Sequence, residues 1–158
     1  MIGTVFREHK TKLFVLIMAF ISMLLMPLAI PDLHSLSKSW LTPWQAMFIF
    51  SNVATSYYMY SSHRWKLPGL FLMLATAFSV EWHPELHYVF AVLFFLGCIR
   101  PLALDKRLNA YAVPYVLTLP LFIWDILVAE MAAIVVLLAY HSNLLYLAWS
   151  INRQRKTL

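Results

Sequence analysis

Two imidazoles and two carboxylates fall within seven residues, Glu81-Trp82-His83-Pro84-Glu85-Leu86-His87. Proline suits the first turn of a helix, so His83 reads as the residue that caps a helix beginning at Pro84. His87 then lies in the first turn, on roughly the same side as His83. Two imidazoles at that spacing could share a metal ion, and zinc takes histidine nitrogens and carboxylate oxygens together. Glu81, Glu85, His34 and Asp125 are the candidates to complete the shell. The segment lacks the internal glutamate of the metalloprotease pattern His-Glu-x-x-His. Acidic residues at a helix start are also favourable without any metal, because they face the positive end of the helix dipole. Boundary anchoring is therefore the competing reading of the same residues.

Glu130 and His141 are eleven residues apart, nearly three helical turns, so they point the same way about 16 Å apart. Ionisable groups within a membrane are costly and often functional, which makes this pair a candidate proton or ion relay. A second polar stripe, Ser51, Asn52, Thr55 and Ser56, repeats at a spacing of four and shares one helix face. An amide such as Asn52 cannot face lipid without loss, so the stripe belongs against other helices, as interhelical glue or as the wall of a polar pathway.

Other chemistries find no foothold. Only three glycines occur, Gly3, Gly69 and Gly97, so a phosphate-cradling loop and a Gly-x-x-x-Gly packing face are both absent. Cys98 is the single cysteine, which rules out an intramolecular disulfide. Covalent haem attachment lacks its Cys-x-x-Cys-His signature. The aromatics and methionines read as packing and lipid contact.

The elements that must position these residues are membrane helices. Hydrophobic residues make up 62% of the chain and charged ones 12%, where a soluble domain carries about 25% charged. The 158 residues form a single membrane domain, expected as an all-α polytopic bundle with six spans at 13–30, 43–62, 68–81, 84–100, 110–124 and 126–150. The third is short, about 21 Å against roughly 30 Å of hydrocarbon. Pro101 is expected to end the fourth helix near Arg100. Pro114 and Pro120 are expected to kink the fifth.

Drawn this way, eleven of the twelve Lys and Arg residues fall on one side, all but Lys38. By the positive-inside rule both termini are cytoplasmic. Arg7, Lys10, Lys12, Arg64, Lys66, Lys106, Arg107, Arg153, Arg155 and Lys156 would face lipid headgroups, so the net charge of +5 points to anionic lipid and not to nucleic acid. Trp40, Trp44, Trp82 and Trp124 fall at the expected outer boundary and Trp65 and Trp149 at the inner one, where tryptophan is favoured. The membrane expected is a bacterial inner membrane.

A first helix, a loop containing Leu36-Ser37-Lys38, a second helix with a central Asn52, a short loop leading into His87-Tyr88-Val89-Phe90, and a last helix carrying Ala129-Glu130 and ending near Trp149 together resemble the DRAM-like six-span family and its bacterial relatives of unknown function. The resemblance covers most of the chain and implies a compact six-helix bundle. A weaker similarity is to alkaline-ceramidase-like membrane hydrolases, whose zinc site would correspond here to His83, His87 and Asp125, although those enzymes have seven spans. The expectation is thus a non-catalytic bundle that packs beside protein partners in a membrane complex or organises lipid. The alternatives are a metal-dependent hydrolase acting on lipid at the outer leaflet and a small proton-coupled transporter.

Overall fold

Hydrophobic runs interrupted by short turns fold into six α-helices in the computed structural model, which describes the backbone of residues 2–30 and 32–154 and the side chains of residues 11–30 and 32–150. They are α1 (Ile2–Ala29), α2 (Gln45–Ser61), α3 (Lys66–Ala77), α4 (Pro84–Leu104), α5 (Ala112–Thr118) and α6 (Ile126–Gln154). Short 3₁₀ turns at Leu36–Leu41, Asn109–Tyr111 and Leu119–Ile123 link them, and no strand occurs among the described residues. Of the headgroup-facing set, Arg7, Lys10, Arg153, Arg155 and Lys156 lie outside the described side chains. Arg64, Lys66, Lys106 and Arg107 are exposed, and Lys12 is half-buried.

Three helices are long and apolar enough to cross a membrane: Thr11–Ala29, Pro84–Leu104 and Ile126–Ser150. No more than 33% of each is buried inside the bundle. Phe14, Leu25, Leu28, Val89, Val92, Leu96, Val128 and Val135 all stand exposed on them. An apolar exterior this extensive requires an apolar solvent, and the chain is a membrane protein. Lys66–Ala77 and Asn109–Ile123 are shorter apolar helical segments.

α3 packs between α2 and α4, while α1 lies against both α2 and α6. The α2–α3 contact depends on Gly69. A Cβ there would sit 2.3 Å from the backbone nitrogen of Tyr60 and 2.8 Å from the Ser56 carbonyl oxygen. The core gathers Leu16, Phe20, Met26, Met59, Leu102, Tyr115, Leu137 and Tyr140. Tyr115, wholly buried, donates its hydroxyl proton to the Phe95 carbonyl at 3.0 Å and so fastens α5 to α4.

Several boundaries depart from expectation. α4 does not stop before Pro101 but runs one further turn to Leu104. Membrane helices tolerate proline where neighbouring helices pack around the freed backbone groups, and Pro101 is itself buried. The fifth segment is not one kinked helix. Pro114 sits in the first turn of α5, where it is harmless, and beyond Thr118 the chain tightens into the 3₁₀ turn that contains Pro120. Asp125 ends that turn and starts α6, its Oδ1 accepting the Val128 N–H at 3.0 Å as an N-cap. Trp65, next to the α2–α3 turn, does not present its ring at the bundle surface. It is only 4% exposed and packs on Tyr140 and His141, with ring centroids 5.5 and 5.0 Å apart.

Candidate functional site

The 32–44 connection between α1 and α2 folds inward, burying Leu33, Ser35, Leu36, Ser37 and Ser39 over one end of the bundle. Beneath it lies a cavity of about 60 Å³ bounded by α1, α2, α3, α4 and α6. That space exceeds the 10–15 Å³ or so that a single water requires. Its walls are mainly the apolar side chains of Phe20, Met23, Phe48, Leu72, Phe94 and Phe95. Its polar members are Ser37, Asn52, Thr55, Thr76, His87 and Glu130.

Glu130 reaches this cavity from the second turn of α6 and is 7% exposed. Its Oε2 accepts the backbone N–H of Leu36 at 2.7 Å, a short bond of the kind a carboxylate makes with an amide. Residues 94 positions apart are thereby joined, and the inward turn is held on α6.

His87 makes the matching contact from α4. Its Nδ1 lies 2.7 Å from the Ala75 carbonyl oxygen and 2.9 Å from that of Phe78, and its Nε2 lies 2.7 Å from Ser37 Oγ. Carbonyl oxygens only accept, so Nδ1 carries the proton and Nε2 accepts the Ser37 hydroxyl proton when the ring is neutral. Ala75 and Phe78 lie at the C-terminal end of α3, where helix carbonyls lack intrahelical partners. His87 therefore caps α3 and pins the 36–41 turn at once.

This geometry separates the candidate metal ligands. His83 is exposed, with its ring against Phe78 at 6.0 Å, whereas His87 is 2% exposed and has both nitrogens engaged inside the protein. Glu81, Glu85, His34 and Asp125 are all exposed, and Asp125 is occupied as the α6 cap. Among the described residues, no three His, Cys, Asp or Glu side chains group as metal ligands. The residues do not fit a zinc site. The reason is local. His87 lies on the side of α4 that faces α3, and the uncapped carbonyls of that helix draw its ring inward.

The α2 stripe is buried throughout: Ser51, Asn52, Thr55 and Ser56 all face other helices. Ser56 donates to the Val53 carbonyl at 3.0 Å, while the Ser51 and Thr55 hydroxyls have no hydrogen-bond partner among the described residues. Glu130 and His141 lie on one buried stripe of α6, along with Ala133, Ile134 and Leu137. They do not share a site. His141 is outside the cavity lining, wholly buried, with Nδ1 bonded to the Leu137 carbonyl at 2.8 Å. Phe20, Tyr58, Trp65 and Tyr140 surround it at centroid distances from 4.9 to 6.0 Å.

Near the other end of the bundle, Tyr140 donates its hydroxyl proton to Asp105 Oδ2 at 2.8 Å, and Asp105 Oδ1 accepts the Arg107 N–H at 3.0 Å. Partial burial pushes the Asp105 carboxyl up. The backbone amides of Arg107 and Leu108, the Tyr140 hydroxyl and the Arg64 charge outweigh it and hold the group below its ordinary value. Asn143 and Tyr111 are hydrogen-bonded beside this cluster. Sequence reading passed over Asp105 because it stands in a basic turn; the available signal was that it is the lone carboxylate there. No family model, curated protein or solved structure matches this chain.

Proposed function

We propose that this chain is a non-catalytic integral membrane protein, an accessory or scaffolding bundle that contacts lipid and protein partners within the membrane. The observation that supports it is the use made of the polar groups. Glu130 and His87, the ionisable side chains at the cavity, both close hydrogen bonds between separate elements. Their geometry is that of clasps holding a bundle shut. In this reading the chain has six crossings in the layout of the DRAM-like family, with α2, α3 and the 109–123 segment completing the three long spans. Both termini are cytoplasmic, and the membrane is a bacterial inner one.

Single-cysteine labelling in intact and permeabilised cells, on a Cys98→Ser background, tests the topology. A cysteine at Lys38 is expected to react from outside, and one at Lys106 only after permeabilisation. Cross-linking in native membranes followed by size analysis in mild detergent tests the scaffold role. A defined assembly larger than the 18.4 kDa chain is expected. A monomer in the membrane and in every detergent overturns it.

The cavity supports a second reading, a small proton-coupled carrier. Buried Glu130 beside Asn52 and the unpartnered Thr55 hydroxyl is the favouring observation. Proton flux in proteoliposomes that falls to background in a Glu130→Gln variant would favour the carrier over the scaffold.

A further inference from the structure

A groove of about 340 Å³ runs along the bundle exterior between α1 and α2, lined by Thr11, Lys12 and Val15 on one side and Phe50, Val53, Ala54, Tyr57 and Tyr58 on the other. That volume is at the lower end of small-ligand clefts, about 300–1,000 Å³. The two helices are consecutive and pack side by side, and α2 returns toward the end from which α1 sets out. Lys12 and Thr11 therefore lie level with Tyr57 and Tyr58, while Val15, Val53 and Phe50 continue the groove toward the middle of the bundle. From Phe50 to Tyr57 the groove extends about 10 Å at 1.5 Å per residue.

Chemically the groove has one charged end and one apolar body. Among the described residues that line it, Lys12 carries the single formal charge and none is a carboxylate. The sequence just before it adds Arg7 and Lys10 against Glu8 alone. Phe50, Val53 and Tyr57 are exposed by 68%, 51% and 60%, so the apolar wall is open from the side. An occupant must carry a negative head and an apolar tail, and must arrive laterally.

We propose that this groove binds one anionic phospholipid, its phosphate at Lys12 and an acyl chain along Val15, Val53, Ala54 and Phe50. The inference rests on the membrane-bundle reading given above and supplies the partner for one face of it. Lysine's long apolar stem suits the position, since it lies along the groove while its ammonium group reaches the headgroup level. With the basic ends cytoplasmic, the lipid belongs to the inner leaflet, whose anionic headgroups attract basic residues beside a span.

The test is native mass spectrometry of the full chain in neutral detergent, titrated separately with phosphatidylglycerol and phosphatidylcholine. One phosphatidylglycerol is expected to bind in preference to phosphatidylcholine. Lys12→Gln should reduce that preference about five-fold, the value of one lysine at an anionic surface. Ala54→Leu fills the groove from α2 and should weaken both lipids, with helical content by circular dichroism confirming that each variant folds. Equal binding of the two lipids by wild type, untouched by either substitution, would overturn the site and leave only unspecific boundary lipid. A dimer of the chain that Ala54→Leu dissolves would overturn it in favour of a second copy in the groove. Failure of the topology reading is separable, because a reversed orientation changes the labelling pattern in cells and leaves the detergent titration as it is.

Discussion

His87→Ala is the perturbation that separates a clasp from a metal ligand. It removes the donor to the Ala75 and Phe78 carbonyls and the acceptor of the Ser37 hydroxyl. Interhelical hydrogen bonds in membranes average about 0.6 kcal/mol and reach about 1.7. The Nδ1 proton shared between two carbonyls and the Nε2 bond together give about 1–2 kcal/mol, and loss of the buried ring enlarges the adjoining cavity, which adds to the cost. A destabilisation of about 2–4 kcal/mol is expected. His83→Ala removes an exposed ring and should stay within about 0.5 kcal/mol of wild type. Equilibrium unfolding in mixed micelles measures both. A cycle with Ser37→Ala then isolates the His87 to Ser37 bond, whose coupling should lie between about 0.6 and 1.7 kcal/mol. Equal losses for the two histidine variants, with wild-type stability rising on zinc addition and falling on chelation, would refute the clasp and restore the shared metal site.

Glu130→Leu leaves the Leu36 N–H without its acceptor and should cost about 1–3 kcal/mol, read as faster protease cleavage within residues 32–44 of the chain in vesicles; Glu130→Gln keeps an acceptor oxygen and should cost less. Gly69→Ala drives a methyl group into the α2 backbone at Tyr60, where no flexible side chain can yield, so a loss of about 1–3 kcal/mol is expected in the same unfolding assay. The Asp105 carboxyl is held below its ordinary value by its donors and Arg64, so its contribution is present above the unfolded value of about 3.9 and is lost as the pH falls through the folded one. Wild type should accordingly be more stable than Asp105→Asn at pH 7, and the difference should shrink steadily as the pH is lowered below the unfolded value of about 3.9; a difference that stays constant through the acid range would sink the assignment.

The legible part of the fold was its periodicity and punctuation. Pro84 marked the start of α4, and the spacing of Glu130 and His141 put both on one buried stripe of α6. The Ser51 to Ser56 repeat marked the buried face of α2. What stayed illegible depends on the neighbours of each helix. Pro101 looks like a stop until one knows that it is packed on by other helices. The two histidines of the 81–87 segment look equivalent, since a turn of helix superposes them. Only the arrival of α3 beside α4 turns one inward and leaves the other exposed.

That arrival also explains why a histidine points inward from α4. α3 has twelve residues, about 18 Å, and ends at Phe78 in an extended conformation, without a glycine cap to close its last carbonyls. With α3 as one of the six proposed spans, its length falls short of about 30 Å of hydrocarbon, and each terminal carbonyl left unpaired there would cost several kcal/mol. A donor must come from elsewhere in the chain. The Nδ1 proton of His87 supplies it to two carbonyls at once, and its other nitrogen turns the Ser37 hydroxyl inward, which lowers the 36–41 turn to where Leu36 meets Glu130. The short helix, the inward histidine, the buried turn and the buried glutamate are therefore one arrangement. Lengthening α3 by one turn of leucine and alanine after Ala77 should make His87 dispensable: His87→Phe should then cost less than about 1 kcal/mol, against about 2 or more in the natural chain. An equal cost in both backgrounds would show that His87 serves something other than the end of α3.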